Sequence, residues 1–99
     1  MKEEKIDIHV SEQVAEGTYA NLALIAHSPA EFILDFARIM PGQKQSNVQA
    51  RIIMNPRNAK QLLAALQDNI AKYERQYGNI PIGNAGGESK PLSYGGGEA

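Results

Sequence analysis

The fold is decided by residues 48–78, which read VQARIIMNPRNAKQLLAALQDNIAKYERQYG. Apolar and polar side chains alternate in the first seven residues, which predicts a strand over Val48–Met54. Asn55 suits the N-cap of a helix, and Pro56 suits its first turn. Apolar side chains then recur every three or four residues up to Gly78, a residue type that ends helices in a left-handed conformation. The stretch therefore predicts a strand followed by a helix of about 22 residues, about 33 Å long.

Three further strands are predicted upstream of this stretch. Ile6, Ile8 and Val10 alternate with polar residues, which predicts a half-buried strand over residues 6–10. Residues 19–27 are apolar on both faces, which is typical of a central strand or of one at an interface. Residues 32–39 form the third candidate. Polar residues 11–17 and 43–47 are expected to connect these elements.

Ser28-Pro29-Ala30-Glu31 allows two interpretations. A serine followed by proline and, three residues on, by glutamate matches the capping box that starts a helix, here one running to Met40. The same residues can also form a hairpin turn that leads into a strand. Aromatic and β-branched residues follow, and they favour the strand.

Together these elements predict an α+β domain with an antiparallel sheet of about four strands and one long C-terminal helix. At 99 residues the chain has room for one domain. We assign it to residues 1–82 and interpret residues 83–99, which are rich in glycine, as a flexible tail. One helix covers only one face of a sheet, so the second apolar face predicts a homodimer.

Composition narrows the possible environments and partners. Cysteine is absent, which excludes disulfides, thiolate metal sites and a cysteine nucleophile. The sequence contains neither a signal-type apolar stretch nor an apolar run that could span a membrane, so we expect a cytoplasmic protein without a membrane partner. Residues 1–35 contain two basic and seven acidic side chains, whereas residues 36–75 contain seven basic and two acidic ones. The basic residues of 36–75 support an alternative function, nucleic-acid binding.

The candidate chemistry is sparse, and we predict no catalytic residue, metal site or cofactor. His9 and His27 lie on separate predicted strands, and no further ligand accompanies either of them at metal-binding spacing. His27 and Ser28 are adjacent and would point to opposite sides of a strand, which is wrong for proton transfer. Asp35 lies in an apolar run, where a carboxylate is either an acid–base group or the partner of a cation; we predict a structural pair with Arg51.

The predicted helix carries two sets of candidate contact residues. The first is an apolar stripe that packs in the core or against a second copy: Leu63, Leu66, Ile70, Tyr73 and Tyr77. The second is a basic set that would bind a partner protein or phosphates: Arg57, Lys60, Lys72 and Arg75.

Several segments resemble one small bacterial family, domain of unknown function 3467. They are Tyr19-Ala20-Asn21, residues 27–36, residues 51–56, and the helix from Ala59-Lys60 through Leu66 and Tyr73-Glu74 to Gly78. The resemblance covers residues 5–82 and brings no catalytic residues with it. The resemblance implies a gene neighbourhood, because family members in the Bacteroides group are often encoded beside the large RNA polymerase subunits. The resemblance therefore implies RNA polymerase as a candidate partner. The surplus apolar surface and the missing catalytic set separately predict a non-enzymatic interaction protein.

Overall fold

The computed structural model describes residues 5–83 and contains two helices and three strands in that part of the chain. The strands form one antiparallel sheet in the order β1-β2-β3, and the long helix α2 follows β3. The fold is α+β, as predicted, but its sheet has three strands instead of about four. The predicted tail lies, from residue 84 onward, outside the described residues. The elements are α1 (Glu12–Ala15), β1 (Leu22–His27), β2 (Phe32–Ala37), β3 (Val48–Met54) and α2 (Pro56–Tyr77).

The strand predicted over residues 6–10 is wrong. These residues adopt no regular secondary structure, and Ile6 and Ile8 remain 77% and 85% exposed. Alternation produces a strand only where a neighbouring strand and a surface to cover are available, and this segment has neither. The connection predicted at 11–17 contains the short helix α1, whose N-cap Ser11 accepts a hydrogen bond at Oγ from the backbone N–H of Val14, at 3.2 Å.

The strand interpretation of residues 32–39 is confirmed by β2. Ser28 N–H donates to the carbonyl of Glu31 at 2.9 Å, which closes the hairpin between β1 and β2. The Ser28 hydroxyl accepts from the N–H groups of Ala30 and Glu31, at 3.3 and 3.2 Å. The residues that resemble a capping box therefore cap a turn, because serine satisfies backbone donors equally well in either setting.

Asn21 fixes the start of β1 against the end of β2. Its backbone N–H donates to Ala37, its Nδ2 donates to the carbonyl of Ile39 at 3.1 Å, and its Oδ1 accepts from the N–H of Ile39 at 2.8 Å. We call these three hydrogen bonds the Asn21 clamp. Next to it, the register between β2 and β3 shifts at Phe36 and Ala37. The clamp therefore satisfies backbone groups just beyond the point where regular pairing ends.

The junction of β3 and α2 lies where the sequence predicts it. Asn55 alone separates the two elements, and its Oδ1 accepts from the N–H of Asn58 at 2.7 Å. Gly78 ends α2 with φ 102° and ψ 167°. This is not the left-handed helical conformation that we predicted, but an extended region at positive φ that is also open almost exclusively to glycine.

The core of this protomer is very small. Among residues 5–83 only Leu34, Asp35 and Ala37 are buried, and all three belong to β2. No residue of α2 is buried. The sequence predicts a helix that covers one face of the sheet, whereas α2 begins beside the sheet and leaves a gap above it.

Candidate interaction surface

The register of the strands defines the two faces of the sheet. Directly opposed residues share a face, so Leu24, Asp35 and Arg51 lie together on one side. Leu34 is opposed by Ile25 and Ile52, so these three lie on the other side. This second side is the one that α2 approaches, and we call it the helix-side face.

An apolar groove separates the helix-side face from α2. It has a volume of about 760 Å³, and Lys60 is the only charged residue among the described residues that line it. Such a groove is a hydrophobic surface that water covers at a cost of roughly 25 cal/mol per Å². Its sheet wall consists of Ala23, Ile25, Phe32, Leu34 and Phe36, and its helix wall of Pro56, Ala59, Lys60, Leu62, Leu63 and Leu66.

The apolar stripe of α2 continues beyond the groove. Leu63 and Leu66 are wall residues and are still 54% and 53% exposed. Further along, Ile70, Tyr73 and Tyr77 are 39%, 49% and 67% exposed, and the two tyrosine rings lie with their centroids 4.8 Å apart. The structure therefore places the predicted stripe on one continuous face of the helix, where all five residues contact solvent in the protomer.

The four predicted basic contact residues do not form one patch. Arg57 and Lys60 lie in the first turns of α2, whereas Lys72 and Arg75 lie about 18 Å or more further along the axis. At about 100° per residue, Arg57, Lys72 and Arg75 project from the side opposite the apolar stripe. Lys60 instead borders the groove, and Lys72 contacts Asp68 at 3.1 Å.

Asp35 and Arg51 are brought together on adjacent strands. Arg51 donates from Nε to Oδ1 and from its terminal NH2 group to Oδ2 of Asp35, both at 2.8 Å. The side chain of Asp35 is fully buried, whereas that of Arg51 is 57% exposed. This two-point pairing holds a carboxylate in the centre of the sheet and leaves part of the Arg51 side chain exposed.

The other candidate residues do not assemble into a reactive site. His27 stacks on Phe32 with ring centroids 5.4 Å apart, and His9 is exposed in the N-terminal segment. The Ser28 hydroxyl accepts the two turn hydrogen bonds described above. No group of three metal-ligating side chains occurs within residues 5–83. In the same part of the chain, no helix is both long and apolar enough to cross a membrane.

Two features of this surface escaped the sequence analysis. The first is the groove, because periodicity shows which residues share a face but not how far the helix stands from it. The second is the position of Lys60 at its edge. Lys60 directly follows a stripe residue, Ala59, and that adjacency is the signal that could have placed it beside the apolar surface.

Comparisons with known proteins identify a family and nothing closer. Neither a curated protein nor a solved structure matches the chain. A family described as "Protein of unknown function (DUF3467)" matches residues 1–82, which include the sheet, α2 and the groove between them. The match covers more than half of the sequence, and the chain therefore belongs to the DUF3467 family.

Proposed function

We propose that this chain is a non-enzymatic interaction module that works as a homodimer. The observation that carries the proposal is the extent of uncovered apolar surface, since three buried residues within 5–83 are far fewer than a stable lone domain of this size requires. Isologous association would cover the groove and the stripe of both copies at once, because each copy presents the same surface. This contact lies on the helix-side face, not on the opposite face from which the sequence analysis predicted the dimer. We place the dimer in the cytoplasm.

Light scattering of the full chain, run together with sedimentation equilibrium, tests this proposal. We expect twice the mass of 10.8 kDa at micromolar concentration. A stable species with the mass of one chain across the micromolar range would overturn the homodimer.

A second partner is proposed from the family resemblance, namely RNA polymerase. Arg57, Lys72 and Arg75 support a further contact, because they lie opposite the apolar stripe and stay exposed when that stripe is covered. Purified RNA polymerase should bind the dimer on a biosensor, and a variant with Arg57→Glu and Arg75→Glu should bind at least about tenfold more weakly. Failure of the wild-type dimer to bind would remove this partner.

Nucleic-acid binding is the alternative that the same basic residues support. Their separation along α2 and the contact between Lys72 and Asp68 weaken it, because neither favours a continuous run of phosphate contacts. Fluorescence anisotropy with short single-stranded and double-stranded oligonucleotides distinguishes the two functions. We expect no binding at 150 mM salt, on the order of the physiological value, whereas binding that falls steeply with salt would favour the alternative.

A further inference from the structure

The apolar stripe of α2 has the same spacing in both directions. Successive members are four, three, four, three and four residues apart, so the pattern is symmetric about position 68. A helix with this property can meet a second copy running the opposite way and place every stripe residue opposite another. The members are Ala59, Leu63, Leu66, Ile70, Tyr73 and Tyr77.

The sizes of the opposed residues suit the antiparallel arrangement. In this register Ala59 faces the partner's Tyr77, and Leu66 faces the partner's Ile70. The largest side chain therefore meets the smallest one at each end of the seam. A parallel pair would place Tyr77 against its own copy and leave a thin layer at Ala59.

Charge complementarity also distinguishes the two orientations. Lys60 and Glu74 are 14 residues apart, which is two heptads, so both flank the same edge of the stripe. Antiparallel pairing brings Lys60 next to the partner's Glu74 at both ends of the seam, whereas parallel pairing sets like charges at the same level. Glu74 Oε2 accepts from the N–H of Ile80 at 2.9 Å. A carboxylate has a second oxygen that can accept from an ammonium group.

We propose that the apolar groove is occupied by a second copy of α2, antiparallel to the first, with Lys60 paired to the partner's Glu74. In this register the partner's Tyr73 and Tyr77 reach the level of Leu63 and Ala59, which belong to the helix wall of the groove. The two rings, with centroids 4.8 Å apart, would enter the groove together. The inference rests on the proposed homodimer and adds the occupant, the direction and the register.

Cross-linking of single-cysteine variants tests the direction, and the absence of native cysteine makes the experiment clean. Asn69 and Gln76 flank the same edge of the stripe, one heptad apart. Antiparallel pairing separates the two copies of residue 69 by about 3 Å along the axis and the two copies of residue 76 by about 24 Å. We therefore expect a short bismaleimide to cross-link the variant Asn69→Cys and to leave Gln76→Cys as single chains.

The outcomes separate this inference from the homodimer itself. Equal cross-linking of both variants would show a parallel pair, and absence of cross-linking in a dimeric Asn69→Cys would show that α2 is not the seam. Either result overturns the inference and leaves the homodimer standing. A wild-type chain that is monomeric in light scattering overturns both.

Charge exchange tests the ionic contact and so the register. The variant Glu74→Lys should dimerise about tenfold more weakly, because like charges meet at both ends of the seam. The double variant with Lys60→Glu and Glu74→Lys should dimerise about tenfold more tightly than Glu74→Lys alone. Both variants lack the Ile80 hydrogen bond, so their difference isolates the contact between chains. No recovery in a double variant with intact helical circular dichroism overturns the register.

Discussion

At the scale of single residues, Asp35 and Arg51 show how one ionic pair is divided between core and surface. The Asp35 side chain is fully buried and the Arg51 side chain is more than half exposed, although the two are joined by hydrogen bonds of 2.8 Å. Water can therefore solvate the cation if its partner is lost, but it cannot reach the anion. The two partners should differ in the cost of their removal.

We expect Arg51→Met to destabilise the protein by about 3 kcal/mol or more, because it removes a cation that donates two hydrogen bonds to a buried carboxylate. Asp35→Asn should cost clearly less, since Arg51 stays hydrated and the amide oxygen still accepts a hydrogen bond. Urea unfolding at neutral pH and one fixed protein concentration measures both variants. Equal losses would contradict this division of roles.

Gly78 is the second residue with a specific physical requirement. Its φ of 102° is a conformation that side chains disfavour, and a Cβ there would meet no atom within 4 Å. Gly78→Ala should therefore cost about 1–3 kcal/mol through backbone strain alone. Thermal unfolding tests this expectation, with Gln76→Ala as a control that should change stability by only a few tenths of a kcal/mol. A neutral Gly78→Ala would show that the helix can end in another way.

At the scale of elements, the sequence predicted those structures that depend on local chemistry. The strand Val48–Met54, the cap at Asn55 and the end of α2 follow from alternation, side-chain capping and glycine, and all lie where they were predicted. The N-terminal strand failed because a strand needs a neighbour, which alternation does not reveal. The groove could not be predicted either, because it depends on the angle at which α2 leaves the sheet.

The role of the apolar stripe can be tested by comparing two lysine substitutions within α2. Leu66 lies on the apolar stripe, and Ala64 lies about 200° around the helix from it. Leu66→Lys should shift the chain to monomers, because a charge would enter the apolar seam. Ala64→Lys introduces the same charge on the opposite side and should leave the mass unchanged. Sedimentation equilibrium compares them, and equal effects would mean that the stripe is not the contact surface.

At the scale of the whole molecule, folding and association should be one event. A protomer with three buried residues in its described part has a small core, so in the proposed homodimer most of the apolar burial would come from the second copy. The midpoint of thermal unfolding should therefore rise by several degrees over a hundredfold increase in protein concentration. A midpoint independent of concentration would indicate a self-sufficient protomer.

The single-residue junction at Asn55 has a mechanical consequence. Asn55 is the only residue between β3 and α2, and Pro56 restricts the first turn of the helix. A change in the direction of β3 would therefore turn α2 as a rigid rod. A tilt of about 10° at this junction would displace the far end of a rod of about 33 Å by about 6 Å. A small change in the twist of β3 would therefore produce a larger displacement at Tyr77. Any molecule bound to the C-terminal end of α2 would move with it.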